Sequence, residues 1–308
     1  MTTGDPADGF GRRGSPVMAL AIASMIGGAF LFTASHGLVR HVGTTLHPFQ
    51  IAFLSVLFSA LFYVPWLMRD GAGLLRTAKI HLHILRAFFN AGAIVAWYSA
   101  LPLIRLADAT ALALTGPLFT TFGAALFLGE RMRVRRWVAL GVGACGGLVI
   151  IRPGFETVSI GFLFVLASAI SGAGSRIFAK NLTRWDSPLT CSAYIAILQM
   201  PITFVLALPV WQTPTLAELG WMAAVGVMVA GAQIALVGAY KHADVGAMEP
   251  LNFTRLVWAA LIGFFVFREV PGLWSWLGAA IIVGASTYIA RREARAHGRQ
   301  WGQAARQE

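Results

Sequence analysis

The chain has 308 residues, of which 57% are hydrophobic and only 12% charged, about half the roughly 25% charge of a soluble globular domain. With a mean hydropathy of +0.69, this composition excludes a disordered chain and an ordinary water-soluble enzyme. A net charge of +11 on so apolar a chain therefore needs a cause other than nucleic acid, because no soluble basic module is present to carry it.

A membrane-spanning helix needs about 20 mostly apolar residues. Residues 1–15 are polar, contain Gly and Pro, and are expected to be disordered. Arg12 and Arg13 imitate the basic start of a signal peptide, but the apolar run behind them lacks a cleavage site and reads as a first span. Ten apolar segments follow in order: 17–37, 48–68, 80–100, 106–128, 136–152, 158–179, 188–208, 217–239, 246–267 and 272–290. A basic tail, 291–308, closes the chain and can touch anionic lipid heads. Cys145 and Cys191 fall inside apolar segments and read as small core residues.

The distribution of cations sets the orientation, since short cytoplasmic loops retain positive charge. With the N-terminus inside, 17 Lys and Arg fall on inside segments, 4 outside (Arg40, Arg105, Arg152, Arg268) and 3 within spans (Arg86, Arg176, Arg255). The expected protein is an all-α integral protein of the inner membrane, with ten spans and both termini cytoplasmic. Topology then accounts for most of the basic charge.

The chain also repeats at about half its length. Arg40 followed by Pro48 parallels Lys180 followed by Pro188. Glu130, Trp137 and Gly141 parallel Glu269, Trp274 and Gly278 in the same order. A five-span block reverses its orientation when repeated, so residues 17–152 and 158–290 are expected to form inverted halves. RMRVRR follows Glu130 and VPGLWS follows Glu269, which agrees with opposite sides. Inverted repeats suit a transporter that exposes one midplane site alternately to either side.

Residues 97–154, WYSALPLIRLADATALALTGPLFTTFGAALFLGERMRVRRWVALGVGACGGLVIIRPG, resemble the EamA repeat of the drug/metabolite transporter superfamily. HPFQIAF at 47–53 and FTRLVWAALIGFFVFREVPGLWSWLGAAIIVGA at 253–285 are similar to other parts of that pattern. The resemblance covers about residues 17–290. It implies ten helices in two EamA halves, transport without ATP and a central cavity lined by both halves. Riboflavin or S-adenosylmethionine uptake and metabolite or drug export are all compatible with it. Two departures stand out: Ser55 lies where many members carry Arg, and Leu256 is in register with Pro117. A proline-driven helix break is thus expected to be missing from the second half or displaced to Pro250.

Charges within spans are costly and usually face a cavity or a partner. On the third span Arg86, Asn90 and Trp97 share one helical face, with Tyr98 adjacent. On the ninth, Glu249, Asn252 and Arg255 are three apart, tracing an arc of roughly 120° over about 9 Å of helix. Glu249 could bind a substrate ammonium, carry a coupling proton, or pair with Arg255 or Arg86; opposite charges on the two facing helices would suit a small polar or amphipathic metabolite such as an amino acid, and the aromatic residues a ring-bearing compound. His36, Arg176, Gln199 and Gln233 are secondary candidates, the last two as interhelical hydrogen bonders. Glu130 and Glu269, both beside Arg, read as salt-bridged corners.

Other chemistry finds no support. GVGACG at 141–146 lies in an apolar span with no strand before it, so its glycines read as close helix packing rather than a nucleotide loop. His81 and His83 lie on different helix faces and make a poor metal site. No cofactor, metal or nucleic acid is expected, only a small-molecule substrate, the bilayer and a possible proton. The competing classes are an intramembrane lipid-modifying enzyme and a drug-efflux protein.

Overall fold

The computed structural model describes residues 15–70, 77–128, 134–152, 158–182, 185–186, 188–242 and 251–304. The α-helices are α1 (Ser15–Val42), α2 (Pro48–Asp70), α3 (Ile80–Ala100), α4 (Leu106–Ala113), α5 (Gly116–Leu128), α6 (Val134–Ile151), α7 (Ile160–Leu182), α8 (Pro188–Ala207), α9 (Leu216–His242), α10 (Thr254–Phe267) and α11 (Leu273–Ala304). No strand occurs among the described residues. Among the described residues, four stretches, Ala19–Val42, Ile80–Ala100, Ile160–Ala179 and Leu216–Leu236, are long and apolar enough to cross a membrane. Large apolar side chains such as Phe88, Leu126, Phe265 and Val266 are more than 60% exposed, an exterior that suits lipid and not water.

Several boundaries differ from the sequence expectation. The first helix starts at Ser15, not 17, and runs on to Val42. The segment expected at 106–128 is two helices, separated by a turn at Leu114–Thr115 just before Pro117, where the ring removes a backbone donor. The second half is also broken despite Leu256: residues 251–252 are helical, Phe253 is a turn, and α10 begins at Thr254, whose hydroxyl donates to the Leu251 carbonyl at 2.6 Å. The hydroxyl satisfies that carbonyl within the turn. Pro250 and Glu249 lie outside the described residues. The tail from 291 continues α11 to Ala304. Cys191 is buried as expected, whereas Cys145 is exposed on α6.

One end of the bundle, called upper here, is tied together by short contacts. The Gln50 side chain donates to the Gln212 carbonyl at 2.6 Å and accepts from its amide at 3.1 Å. Arg40 grips Glu269 in a two-pronged ion pair at 2.8 and 2.5 Å, which fits the corner role read for Glu269. The main buried cluster collects Val39, Leu46, Ile51, Leu101, Leu106 and Met222 near that end. The lower end, where α1 begins, holds Thr77, His83 and Asp186. Gly146 and Gly278 let α6 and α11 touch backbone to backbone: a Cβ on Gly278 would lie 2.6 Å from the Gly146 carbonyl oxygen. The glycines of 141–146 thus include a packing contact.

Candidate functional site

α1 packs against α9 and α10 and touches α3. Phe32 and His36, one turn apart on its face, meet side chains from two other helices. The Arg255 guanidinium of α10 lies 4.6 Å from the centre of the Phe32 ring. Phe32 meets His36 edge-on at 5.2 Å, and His36 meets Trp97 of α3 at 5.0 Å. A cation, an imidazole, a phenyl and an indole thus form one chain of ring contacts. Trp258, three residues after Arg255, stands edge-on to Phe30 at 5.1 Å. The indole nitrogens of Trp97 and Trp258 are buried with no hydrogen-bond partner. Such a donor costs roughly 1–3 kcal/mol when left unpaired, so a ligand that supplies acceptors recovers that energy.

The candidates from the sequence separate into two groups. Trp97 and Arg255 come together through α1, with half-buried Asn252 three residues before Arg255. Tyr98 is buried, and so is Ser55, the position singled out above, whose hydroxyl donates to the Ala52 carbonyl at 3.0 Å. His36 joins this group through its contacts with Phe32 and Trp97. Arg86 and Asn90 instead face α8: Arg86 donates to the Cys191 carbonyl at 3.0 Å, and the Asn90 amide donates to Gln199 at 2.7 Å. Gln199 thereby bonds between helices, with its own Nε2 buried and unpartnered. Arg176 of α7 donates through Nε to the Thr120 hydroxyl of α5 at 2.9 Å. Gln233 is exposed.

Two groups escaped the sequence reading. Phe32 carried no charge or polarity to flag it; its spacing of four from His36 was the available signal. His83 was set aside as a poor metal ligand, yet its Nε2 lies 2.9 Å from Asp186 and its ring stacks on Tyr194 at 4.4 Å. Burial alone would raise the Asp186 carboxyl, but hydrogen bonds from Thr77 and His83 outweigh it and hold the group below the ordinary carboxylate range. No cluster able to hold a metal ion occurs among the described residues. An apolar groove between α6 and α11, lined by Val142 and Tyr288, lies away from all of these groups.

A helical bundle with an apolar exterior defines a multi-pass membrane protein, and comparison with known proteins gives its class. The EamA-like transporter family matches residues 13–152 and again 159–291. A riboflavin transporter of Rhizobium johnstonii is 34% identical over 79% of this chain and 81% of its own. An S-adenosylmethionine uptake transporter of Rickettsia bellii is 30% identical over 86% of this chain and 91% of its own. A solved crystal structure shares the fold, with a TM-score of 0.57 at 20% identity, over 90% of this chain and 98% of its own. The chain belongs to the EamA-like transporter family, and it is a transporter of small molecules, not an enzyme.

Proposed function

We propose that this protein moves a metabolite bearing a planar nitrogen-containing ring across the inner membrane by alternating access between two inverted five-helix halves, with both termini cytoplasmic. The contact of Arg255 with Phe32, extended through His36 to Trp97, carries the reading: it joins helices of both halves around rings and donors. Riboflavin and S-adenosylmethionine, named for the two relatives, both contain a fused nitrogen heterocycle and oxygen acceptors. A guanidinium, two unpartnered indole N–H groups and a set of edge-on and tilted rings complement that chemistry.

Inversion is supported by the register of the two halves. An offset of 140 carries Val42 to Leu182 and Pro48 to Pro188; an offset of 139 carries Leu128 to Phe267 and Val134 to Leu273, all of them helix ends or starts. The contacts exchange in the same way. A Cβ on Gly92 would lie 3.6 Å from Ser171, and one on Gly231 would lie 3.5 Å from Leu31. Ser168 donates to the Ala93 carbonyl, while a Cβ on Gly28 would lie 3.2 Å from the Ala232 carbonyl. Such an exchange is what a two-fold relation between the halves gives, and an odd number of spans in each half would put its axis in the membrane plane.

Glu249, three residues before Asn252, is assigned the coupling proton on the strength of its spacing. Purified protein in sealed vesicles tests the whole reading through uptake and exchange of labelled riboflavin and S-adenosylmethionine. Arg255→Gln is expected to weaken apparent affinity by about 30-fold, the worth of a desolvated cation–π contact of about 2 kcal/mol. Glu249→Gln is expected to keep exchange and lose acceleration by a pH gradient. A wild-type protein that exchanges neither compound overturns this substrate assignment.

A further inference from the structure

α6 and α11 touch backbone to backbone at Gly146 and Gly278. Nearer the lower end a groove of about 350 Å³ lies between them, lined by Val138 and Val142 of α6 and by Gly284, Ala285 and Tyr288 of α11. Nothing lies within 4 Å of a Cβ placed on Gly284, so the open space reaches the backbone of α11. Val138, Val142 and Tyr288 are 60%, 47% and 44% exposed. An apolar groove of this size on a lipid-facing surface has room for a stretch of acyl chain but not for a whole lipid.

The sequence adds charge at the lower mouth of this groove. Arg135 and Arg136 fall in the first turn of α6, and Arg291, Arg292 and Arg295 fall within two turns after Tyr288 on α11. Gly146 meets Gly278 and Ala139 clusters with Ala285, so the two helices run antiparallel and all five arginines belong to one end. Arg136 precedes Val138 by two residues and Arg291 follows Tyr288 by three, about 3 and 4.5 Å of helix. Glu293 is the one acid on either helix, which leaves an excess of four positive charges. Trp137, 52% exposed, and Tyr288 stand at the same end, as interfacial aromatics do where a span meets the headgroups. These arginine positions therefore fall at the headgroup layer, and the groove in the hydrocarbon beside it.

We infer that the groove between α6 and α11 is a binding site for one anionic phospholipid, with an acyl chain lying along Gly284 and the phosphate at the arginines of both helices. A zwitterionic lipid fills the apolar part equally well but leaves the positive excess uncompensated. A second copy of this chain, paired through the same face, would bring two sets of these arginines together, and opposed like charges disfavour it. Basic pockets between membrane helices select anionic headgroups, each arginine adding about fivefold in affinity. The site lies at the periphery of the bundle, so it stands or falls independently of the substrate reading above.

Native mass spectrometry of the purified full chain, titrated with phosphatidylglycerol or with phosphatidylcholine of the same acyl chains, tests the site. Wild type is expected to bind the first lipid at least about tenfold more tightly. Arg135→Gln combined with Arg136→Gln, and separately Arg291→Gln combined with Arg292→Gln, should each weaken phosphatidylglycerol by about 10- to 30-fold, as two arginines at about fivefold each require. Arg299→Gln combined with Arg306→Gln removes the same charge farther along the tail and should change affinity less than about threefold. Gly284→Leu fills the groove and is expected to weaken binding at least about fivefold while the lipid-free unfolding midpoint holds. Equal affinity for the two lipids, or an equal loss in the Arg299 and Arg306 control, shows only diffuse attraction and overturns the site. Binding by Gly284→Leu within about twofold of wild type, or a fall in its midpoint, overturns the open groove. A dimer in wild type that Gly284→Leu dissociates assigns the groove to a second copy and overturns the lipid as its occupant.

Discussion

Replacing Glu269 with Gln keeps the volume at the upper corner and removes one charge from the Arg40 pair. Three interactions change together. Arg40 loses a two-pronged carboxylate at 2.8 and 2.5 Å. The amide of Leu106, at the start of α4, loses a charged acceptor at 3.4 Å. The α10–α11 connection, turned into place by the left-handed Arg268 (φ 55°) and the Glu269 amide bond to Gly263 at 2.9 Å, loses its tie to α1. The two side chains are 15% and 19% exposed, between the surface pairs worth about 0–1 kcal/mol and the buried ones whose breakage costs about 3–5. A coupling of about 1–3 kcal/mol is the reasonable figure, equal to roughly a 5- to 150-fold shift in a two-state equilibrium. Under alternating access the pair joins the halves only while the upper end is closed, so this energy favours that state. A double-mutant cycle of Arg40→Gln and Glu269→Gln, read by reversible unfolding in detergent, measures it. Thiol labelling at Gly272→Cys in a background lacking Cys145 and Cys191 should rise in either single variant as the upper end opens. A coupling below about 0.5 kcal/mol, typical of an exposed pair, together with unchanged labelling, would refute the reasoning.

Gly278→Val places a Cβ 2.6 Å from the Gly146 carbonyl oxygen, part of a backbone that cannot step aside, and should destabilise by about 1–3 kcal/mol. Gly141→Val, where nothing lies within 4 Å, should leave the unfolding midpoint unchanged; equal effects of the two would contradict the close approach of α6 and α11. Thr77→Val removes a 2.7 Å donor from Asp186. Because the folded carboxyl lies below its unfolded value, the stabilisation it provides is complete above the unfolded pKa of about 3.9 and is lost as pH falls through the folded value. The midpoint difference between Thr77→Val and wild type should accordingly be largest near neutrality and vanish in acid, and a difference independent of pH would exclude the carboxylate as its cause.

What the sequence determined by itself follows from solvent. Twenty-residue apolar runs, the scarcity of charge and the Gly-rich stretch at 141–146 are local consequences of living in lipid, where every span must be apolar and helical. The order of Arg40, Pro48, Glu130 and Trp137 in one half and of Lys180, Pro188, Glu269 and Trp274 in the other exposed the repeat for the same reason: similar residues in a common order, at offsets of 137–140, need no folding to be seen. Arg86, Asn90, Trp97 and Arg255 were legible as costly polar groups in spans, but not which neighbours relieve them. Helical phase shows only that Arg86, Asn90 and Trp97 share a face, and one face of α3 is long enough to meet α8 at its lower part and α1 at its upper part. Only tertiary packing decided that Trp97 belongs with His36 and Arg255 while Asn90 belongs with Gln199. It alone drew in Phe32, an apolar residue with the Arg255 guanidinium placed over its ring. Contacts between residues more than two hundred positions apart, such as Arg255 with Phe32 and Arg40 with Glu269, depend on how two halves meet, and no local pattern encodes that distance.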